Sequence, residues 1–158
     1  MTCVARVGRS RETRTRLELE TSKGGVLVSE SLNSVGAITM FVADRDRAKS
    51  FYEKAFDAES VYEDGHSIAF KFENMIVNLL VASEAHGLIG PAVVAGQDAG
   101  SRFQLTIGVN DVDAVCEALA IRGVDLLNGP IDRPWGMRTA AFSDPDGHIW
   151  EVAAKIPS

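Results

Sequence analysis

The sequence contains little cysteine and little histidine: two and three residues among 158. Cys3 and Cys116 are too few and too far apart for a disulfide framework or for the paired cysteines of a zinc site. His66, His86 and His148 are scattered, and each falls in or beside a predicted turn or connector, where we expect exposed side chains. The sequence therefore gives no support to a disulfide-stabilised fold or to an imidazole or thiolate metal centre.

Long apolar runs are also missing, because no run approaches the roughly 20 residues that a membrane-spanning helix needs. The start of the chain, Met1 to Ser10, has arginines but no apolar stretch followed by a small-residue cleavage site. We therefore expect a cytoplasmic protein with no membrane partner.

The chain also lacks an excess of basic residues, since its formal net charge is −6. Since nucleic-acid affinity rests largely on basic side chains, we expect no nucleic-acid partner.

What the sequence does contain is an ordinary globular composition, with 46% apolar and 24% charged residues, and an internal repeat. A strand at Ala37 to Ala43 leads to the helix cap Asp44 and a helix from Arg45 to Phe56. Three strands follow, and their predicted bounds are Glu59 to Tyr62, Ser67 to Phe72 and Met75 to Ala82. The order of this first unit is therefore βαβββ.

The same order returns in the second half of the chain. A strand at Phe103 to Val109 leads to the cap Asp111, 111 − 44 = 67 positions after Asp44, and to a helix from Val112 to Arg122. Three strands again follow, near 124–127, 137–143 and 148–153. The sequence thus predicts an α+β protein with an amino-terminal extension (1–33), a first βαβββ module (34–86), a connector (87–101) and a second βαβββ module (102–158).

The turn Asp144-Pro145-Asp146-Gly147 sets the register of the last hairpin, because Pro and Gly suit a type I turn and the residue after it. A three-residue loop pairs Asp144 with His148. Phe142 then lies beside Trp150 on an apolar face that packs under the helices. Glu151 falls on the opposite face, where polar and apolar side chains alternate. We call this second face of each module its mixed face.

Two segments resemble a known family: Ile38-Thr-Met-Phe-Val-Ala-Asp44 continuing into Ala48-Lys-Ser-Phe-Tyr-Glu-Lys-Ala-Phe56, and Trp135 to Glu151 around Asp-Pro-Asp-Gly-His. They are similar to the glyoxalase, bleomycin-resistance and extradiol-dioxygenase superfamily, the vicinal oxygen chelate fold. The resemblance covers about residues 35–154. It implies two βαβββ modules forming a curled, cup-like sheet with helices on the outer face, usually completed by a homodimer.

In the metalloenzymes of this superfamily, the resemblance places a metal ligand in the first and the last strand of each module. Those positions hold Ala37, Asn78, Gln104 and Glu151 here. Ala37 has no donor atom, and no position carries the imidazole that transition metals favour. We therefore expect no metal site and no cofactor, apart from a weakly held divalent ion.

The function that follows is a metal-independent protein that encloses a hydrophobic or aromatic small molecule. The alternative is a lyase, isomerase or dioxygenase-type enzyme of the superfamily, which includes lactoylglutathione lyase, with Glu151 as a base or weak metal ligand. A third reading is a partner domain that acts through its surface. The acidic balance favours a cationic ligand. The predicted ligand-binding residues are Thr39, Phe41, Asn78, Leu80, Gln104, Thr106, Trp135, Met137, Thr139 and Glu151.

Overall fold

The computed structural model describes residues 34–157, and the compact unit begins at Val35. The predicted extension at 1–33 and Cys3 lie outside the described residues. Within the described part of the chain, no helix is long and apolar enough to cross a bilayer.

The first βαβββ unit begins with strand β1 (Ala37–Val42) and helix α1 (Arg45–Phe56). The carboxylate of Asp44 caps α1 by accepting a hydrogen bond from the backbone N–H of Arg47. Strands β2 (Ser60–Glu63), β3 (Ser67–Lys71) and β4 (Ile76–Val81) complete a four-stranded sheet, which we call sheet A. Its strand order is β1-β4-β3-β2, and only β1 and β4 run parallel.

A short helix α2 (His86–Ile89) follows in the connecting segment. The second unit then contains strand β5 (Gln104–Gly108) and helix α3 (Val112–Ile121), capped by Asp111. Strands β6 (Leu126–Arg133), β7 (Met137–Ser143) and β8 (Ile149–Lys155) complete sheet B in the order β5-β8-β7-β6. The α+β architecture predicted from the sequence is confirmed: two mixed four-stranded sheets with helices, not closed into a barrel.

One strand differs from the prediction. The sequence suggested a short strand at 124–127, whereas β6 continues to Arg133. Two register shifts against β7 interrupt this strand around Asn128 and Ile131. Gly129 makes the bulge feasible, because its φ is 94° and an added Cβ would lie 2.6 Å from the Thr139 carbonyl oxygen. Gly129 and Pro130 therefore form a bulge within a strand that extends beyond the predicted one.

The register of the last hairpin is confirmed. Asp144 N–H donates to the His148 carbonyl, and Phe142 pairs with Trp150 across β7 and β8. Glu151 pairs with Ala141, which places both on the mixed face of sheet B. Phe142 and Trp150 are buried as predicted, and Trp150 is only 3% exposed.

The apolar faces of both sheets and both long helices contribute to one core. Tyr52 on α1 stacks on Phe70 of sheet A and meets Trp150 of sheet B edge-on. Phe56 lies 4.6 Å from Trp150 between ring centroids, and Phe72 stacks on the same indole at 5.6 Å. Because side chains alternate across a strand, the mixed face of each sheet lies on the side away from this shared core.

The turn between β7 and β8 joins the two units through buried hydrogen bonds. The Tyr52 hydroxyl lies 3.1 Å from Asp144 Oδ2 and accepts a hydrogen bond from Trp150 Nε1. Burial, reinforced by the nearby negative charge of Asp144, raises the pKa of Tyr52, which therefore stays protonated as a donor. Asp146 Oδ1 accepts from the backbone N–H of Ala43 at 2.7 Å. These contacts fix the carboxyl end of β7 against the start of α1.

His148 corrects a second expectation, since the sequence suggested an exposed turn residue. Its Nδ1 lies 2.7 Å from Asp144 Oδ2, and its side chain is largely buried. The physical reason is that Asp144 is fully enclosed and needs several donors, which His148 supplies together with two backbone N–H groups. His66 and His86 are exposed, as expected.

Trp150→Ala is expected to lower the free energy of unfolding by about 3–5 kcal/mol, because it empties a large aromatic site in the shared core. Trp135→Ala is the matched control: this indole is 69% exposed, and its loss should change stability by no more than about 0.5 kcal/mol. Urea denaturation followed by circular dichroism measures both. Equal effects of the two substitutions would contradict the assignment of Trp150 to the core.

Candidate functional site

The mixed face of sheet B contains a carboxylate held by a threonine. Thr106 on β5 is the parallel partner of Glu151 on β8, and its hydroxyl donates to Glu151 Oε1 at 3.0 Å. Among the described residues, the second carboxylate oxygen, Oε2, makes no hydrogen bond. Ala141 lies on the other side of Glu151, in register on β7. The hydrogen bond from Thr106 fixes Oε1. Because Glu151 is only half-buried, Oε2 can accept a hydrogen bond from a ligand.

The mixed face of sheet A has the equivalent arrangement. Thr39 on β1 is the parallel partner of Asn78 on β4, and Asn78 Nδ2 donates to the Thr39 hydroxyl at 3.4 Å. Ala69 on β3 is in register on the far side of Asn78. The central row of each mixed face therefore reads threonine, a carboxylate or carboxamide, and alanine. Asn78 supplies a neutral amide where Glu151 supplies a charge.

The internal repeat explains why these rows match. Thr39 and Thr106 differ by 67 positions, the same offset that relates the two helix caps. In each unit the parallel pairing of the first and last strands brings the threonine directly beside the polar residue of the last strand. Ala37 and Gln104, the positions at which the resemblance implied metal ligands, lie two residues earlier on the same faces.

The remaining predicted site residues fall around these rows. Phe41 and Leu80 are partners on the mixed face of sheet A. On sheet B, Gln104 is exposed on β5, and Met137 is half-buried at the start of β7. Thr139, two residues after Met137 on β7, is only 2% exposed. Trp135 lies in the β6–β7 turn. Because the two mixed faces belong to separate sheets on a shared core, the structure does not bring the sheet A residues and the sheet B residues together within one chain.

Sequence reasoning missed two polar residues of sheet B, Arg133 and Asn128. Arg133 Nε donates to the Thr139 hydroxyl at 2.9 Å, and Nη2 donates to Asn128 Oδ1 at 3.2 Å. The two register shifts in β6 place both residues opposite mixed-face residues of β7. The signal in the sequence was Asn128-Gly129-Pro130 followed by Ile131 to Arg133, a strand that continues past a bulge.

The side chains on these faces do not fit a transition-metal ion. Among the described residues, no group of three or more His, Cys, Asp or Glu side chains is arranged so that it could hold a metal ion. Glu151 is the single carboxylate of its row, and its neighbours Thr106 and Gln104 offer only neutral oxygens. Zinc, iron and manganese sites in proteins require imidazole, thiolate or several carboxylates. Thus no chemical step through a resident metal follows from these residues.

Within residues 34–157, no side chain offers a thiol nucleophile either. Cys116 lies on the inner face of α3 and is buried. Burial raises the pKa of the Cys116 thiol, and the nearby carboxylate of Asp113 adds to the shift. A buried thiol with a raised pKa is a weak nucleophile, so Cys116 acts as a small core residue.

Two cavities lie away from the mixed faces. The first, of about 280 Å³, is a partly open cleft lined by apolar side chains from both βαβββ units; we call it the intermodule cavity. Its lining comprises Ala55, Phe56, Phe72, Ile107, Val109, Val115, Leu119, Phe142 and Val152. The second, about 360 Å³, lies beside α2 and the connecting segment. A ligand in the intermodule cavity would find no polar side chain to orient it, which distinguishes this cavity from typical binding pockets.

Comparison with protein families gives one match over most of the chain. A family model described as Glyoxalase/Bleomycin resistance protein/Dioxygenase superfamily matches residues 34–152. A curated protein of Bacillus subtilis (strain 168), "Uncharacterized protein YraH", is 41% identical over 56 residues. That match covers 35% of this chain and 44% of the relative, so the chain spans less than half the length of the curated relative it matches.

Solved structures with similar folds extend over nearly the whole described unit. A glyoxalase/bleomycin resistance protein/dioxygenase from Nocardioides superimposes with a TM-score of 0.74 at 21% identity, covering 83% of this chain and 89% of that one. A glyoxalase-related enzyme from Fulvimarina pelagi gives a TM-score of 0.69 at 25% identity, over 78% and 89% of the two chains. The first likeness, at this low identity, shows the fold alone.

The oxygen ligands available around Glu151 predict a low metal content. Protein purified without chelator should carry well below one zinc, iron, manganese or nickel ion per chain, because one carboxylate with neutral neighbours holds such ions weakly. Inductively coupled plasma mass spectrometry measures the content, with the Glu151→Gln variant as the control. A near-stoichiometric metal in the wild-type protein that is lost in the variant would show that Glu151 is a metal ligand.

Proposed function

Because the chain belongs to the glyoxalase/bleomycin resistance protein/dioxygenase superfamily, we propose that it is a small-molecule binding protein of this type that needs no metal. The observation that supports this proposal best is the Thr106–Glu151 pair. It presents a half-buried carboxylate with one fixed oxygen and one available oxygen, beside a small alanine. A hydroxyl, amine or cationic group of a ligand can donate to that available oxygen.

The surroundings of Glu151 suit a hydrophobic or aromatic ligand. Met137 and Ile149 provide apolar contact area on the same face, and Trp135 provides an exposed indole at its edge. Gln104 adds an exposed carboxamide on β5 for orientation. Apolar contact with a few converging polar groups is the usual composition of a small-molecule site.

A homodimer is the second part of this proposal. Each mixed face lies on the outer side of its sheet, so one chain offers two open half-sites rather than one enclosed site. A second copy could cover the mixed face of sheet B with its sheet A, and the same contact repeats by two-fold symmetry. Thr39, Phe41, Asn78 and Leu80 of sheet A would then form the opposite wall of the site.

Catalysis by Glu151 is the alternative function. The free Oε2 is placed to accept a proton from a bound substrate, as a general base does. The Fulvimarina pelagi protein, similar in fold and 25% identical, is described as a glyoxalase-related enzyme. An enzyme would turn over a ligand that binds at this face, whereas a binding protein would release it unchanged.

Glu151→Gln is expected to weaken a ligand that donates to this carboxylate by about 1.5–3 kcal/mol, the contribution of a hydrogen bond to a charged group. A thermal-shift screen of hydroxylated and cationic aromatic compounds, thiols and planar antibiotics identifies the ligand, since any compound specific for the folded state raises the melting temperature. Isothermal titration then compares the variants. Glu117→Gln on the exposed side of α3 is the control and should bind as the wild type does. Equal affinity of the Glu151→Gln variant and the control would rule out the carboxylate as an anchor.

The protein is expected to be a homodimer at micromolar concentration, because the open mixed faces and the edge strands β1, β2, β5 and β6 are left uncovered within one chain. Light scattering coupled to size-exclusion chromatography gives the mass directly. A monomeric mass at this concentration, with or without ligand, would argue against a site shared by two chains.

A further inference from the structure

Arg133 is a rigidly held positive charge on the mixed face of sheet B. Its Nε and Nη2 donate to Thr139 and Asn128, so the guanidinium is fixed in orientation. Within the described residues, no carboxylate oxygen lies within 4.0 Å of it. Arg138, one strand away, contrasts with this: two carboxylates, Asp113 and Asp132, hold it at 2.6–2.7 Å.

The hydrogen bonds of Arg133 leave one edge of the guanidinium available. Of its five N–H groups, one on Nε and one on Nη2 are used, and both on Nη1 and the second on Nη2 are not. Two parallel N–H donors along that edge match the two oxygens of a carboxylate, which is the geometry of a bidentate ion pair. Since Thr139 is buried and fixes Nε, little conformational entropy is lost when an anion binds there.

Arg133 and Glu151 flank the same small residue. Along the central row of sheet B, Asn128 on β6 is in register with Ala141 on β7, and Ala141 is in register with Glu151 on β8. Adjacent strands are about 4.8 Å apart, so the backbones at Asn128 and Glu151 are separated by roughly 10 Å. The Arg133 guanidinium lies on the Asn128 side of Ala141 and the free Glu151 oxygen on the other.

Trp135 adds an aromatic surface next to the cation. Its ring centroid lies 6.0 Å from Arg133 Cζ, and most of the indole is exposed. A planar ring whose carboxylate pairs with Arg133 can therefore contact the indole, while its far end extends toward Glu151. These features together define a ligand with an aromatic middle, an oxyanion at one end and a hydrogen-bond donor at the other.

We propose that the mixed face of sheet B binds a small aromatic carboxylate that also carries a hydroxyl or amine group. Its carboxylate pairs with the Nη1–Nη2 edge of Arg133, and its hydroxyl or amine donates to Glu151. This inference rests on the proposed function and deepens it. It also differs from the expectation drawn from the net charge of the chain, which favoured a cationic ligand, because the local charge at Arg133 is positive.

The probes that test this proposal are 4-hydroxybenzoate and its neutral methyl ester, titrated by isothermal calorimetry in the presence of chelator. Both have the ring and the hydroxyl, and only the acid has the carboxylate. The wild-type protein should bind the acid at least about 10-fold more tightly than the ester, since a hydrogen-bonded ion pair is worth at least that factor. Phenyl phosphate is the third probe. It shows whether the Nη1–Nη2 edge of Arg133 prefers a carboxylate to a phosphate.

Variants separate the role of Arg133 from a general charge effect. Arg133→Gln and Arg133→Lys should both lose most of the preference for the acid, because neither keeps the two parallel donors. Arg138→Gln removes the same charge from the neighbouring strand and should keep the preference. Circular dichroism melting checks that each variant is folded, and the acid–ester comparison in the wild-type protein needs no variant.

The outcomes distinguish this inference from the proposed function. If the acid and the ester bind equally and Glu151→Gln weakens both, the pairing of a ligand carboxylate with Arg133 is wrong. The binding function at Glu151 then stands. A preference for the acid that survives Arg133→Gln and Arg133→Lys assigns the anion to another group and overturns the role of Arg133. Tighter binding of phenyl phosphate than of 4-hydroxybenzoate overturns the choice of a carboxylate. Absence of binding by all three probes into the millimolar range contradicts both proposals.

Discussion

The fold depends on the buried contact between the Asp144–Gly147 turn and helix α1. Asp144 is enclosed and accepts from the backbone of Asp146 and His148, and its second oxygen lies near the Tyr52 hydroxyl and the His148 ring. A buried carboxylate is tolerated only when donors satisfy it, so this turn can adopt one position against α1. The aromatic rings of Tyr52, Phe56 and Trp150 then pack around it. One core thus serves both βαβββ units, and it uses the apolar face of each sheet.

That use of the apolar faces determines where a ligand can bind. With both apolar faces committed to the shared core, the polar rows built on Thr39 and Thr106 lie on the outer sides of the sheets. The intermodule cavity is part of the core and is lined by apolar side chains. The mixed face of sheet B, in contrast, combines the Glu151 carboxylate, the Arg133 guanidinium and the small residue Ala141, whereas that of sheet A carries the neutral amide of Asn78. The proposed binding of a polar-ended aromatic molecule rests on that chemistry, and the proposed second chain would enclose the site.

Much of this arrangement could be predicted from the sequence, because it depends on local signals. Asp44 and Asp111 are caps followed by helical periodicity, and Asp-Pro-Asp-Gly fixes a hairpin whose register follows by counting. The site was predicted less well, since it depends on features without a local signal. The bulge at Gly129 interrupts the sequence pattern of β6, so the part of the strand that contains Arg133 was not predicted. His148 is buried because Asp144, four residues earlier, needs a hydrogen-bond donor. The position of a bulge and the burial of an acceptor depend on tertiary contacts, so they cannot be predicted from the sequence of one segment.

Small molecules are proposed to bind on the mixed faces, without a metal, and not in the intermodule cavity. The most direct measurement is methyl NMR of protein labelled at alanine, with chelator present, during titration of the tightest binder found in the screen. The account predicts saturable shifts of the Ala141 methyl group on sheet B, with Ala69 also shifting where sheet A of a second chain closes the site. Ala55, which lines the intermodule cavity, should stay unchanged. Shifts confined to Ala55, or shifts of Ala141 that occur only when chelator is omitted, would contradict binding at the mixed faces without a metal.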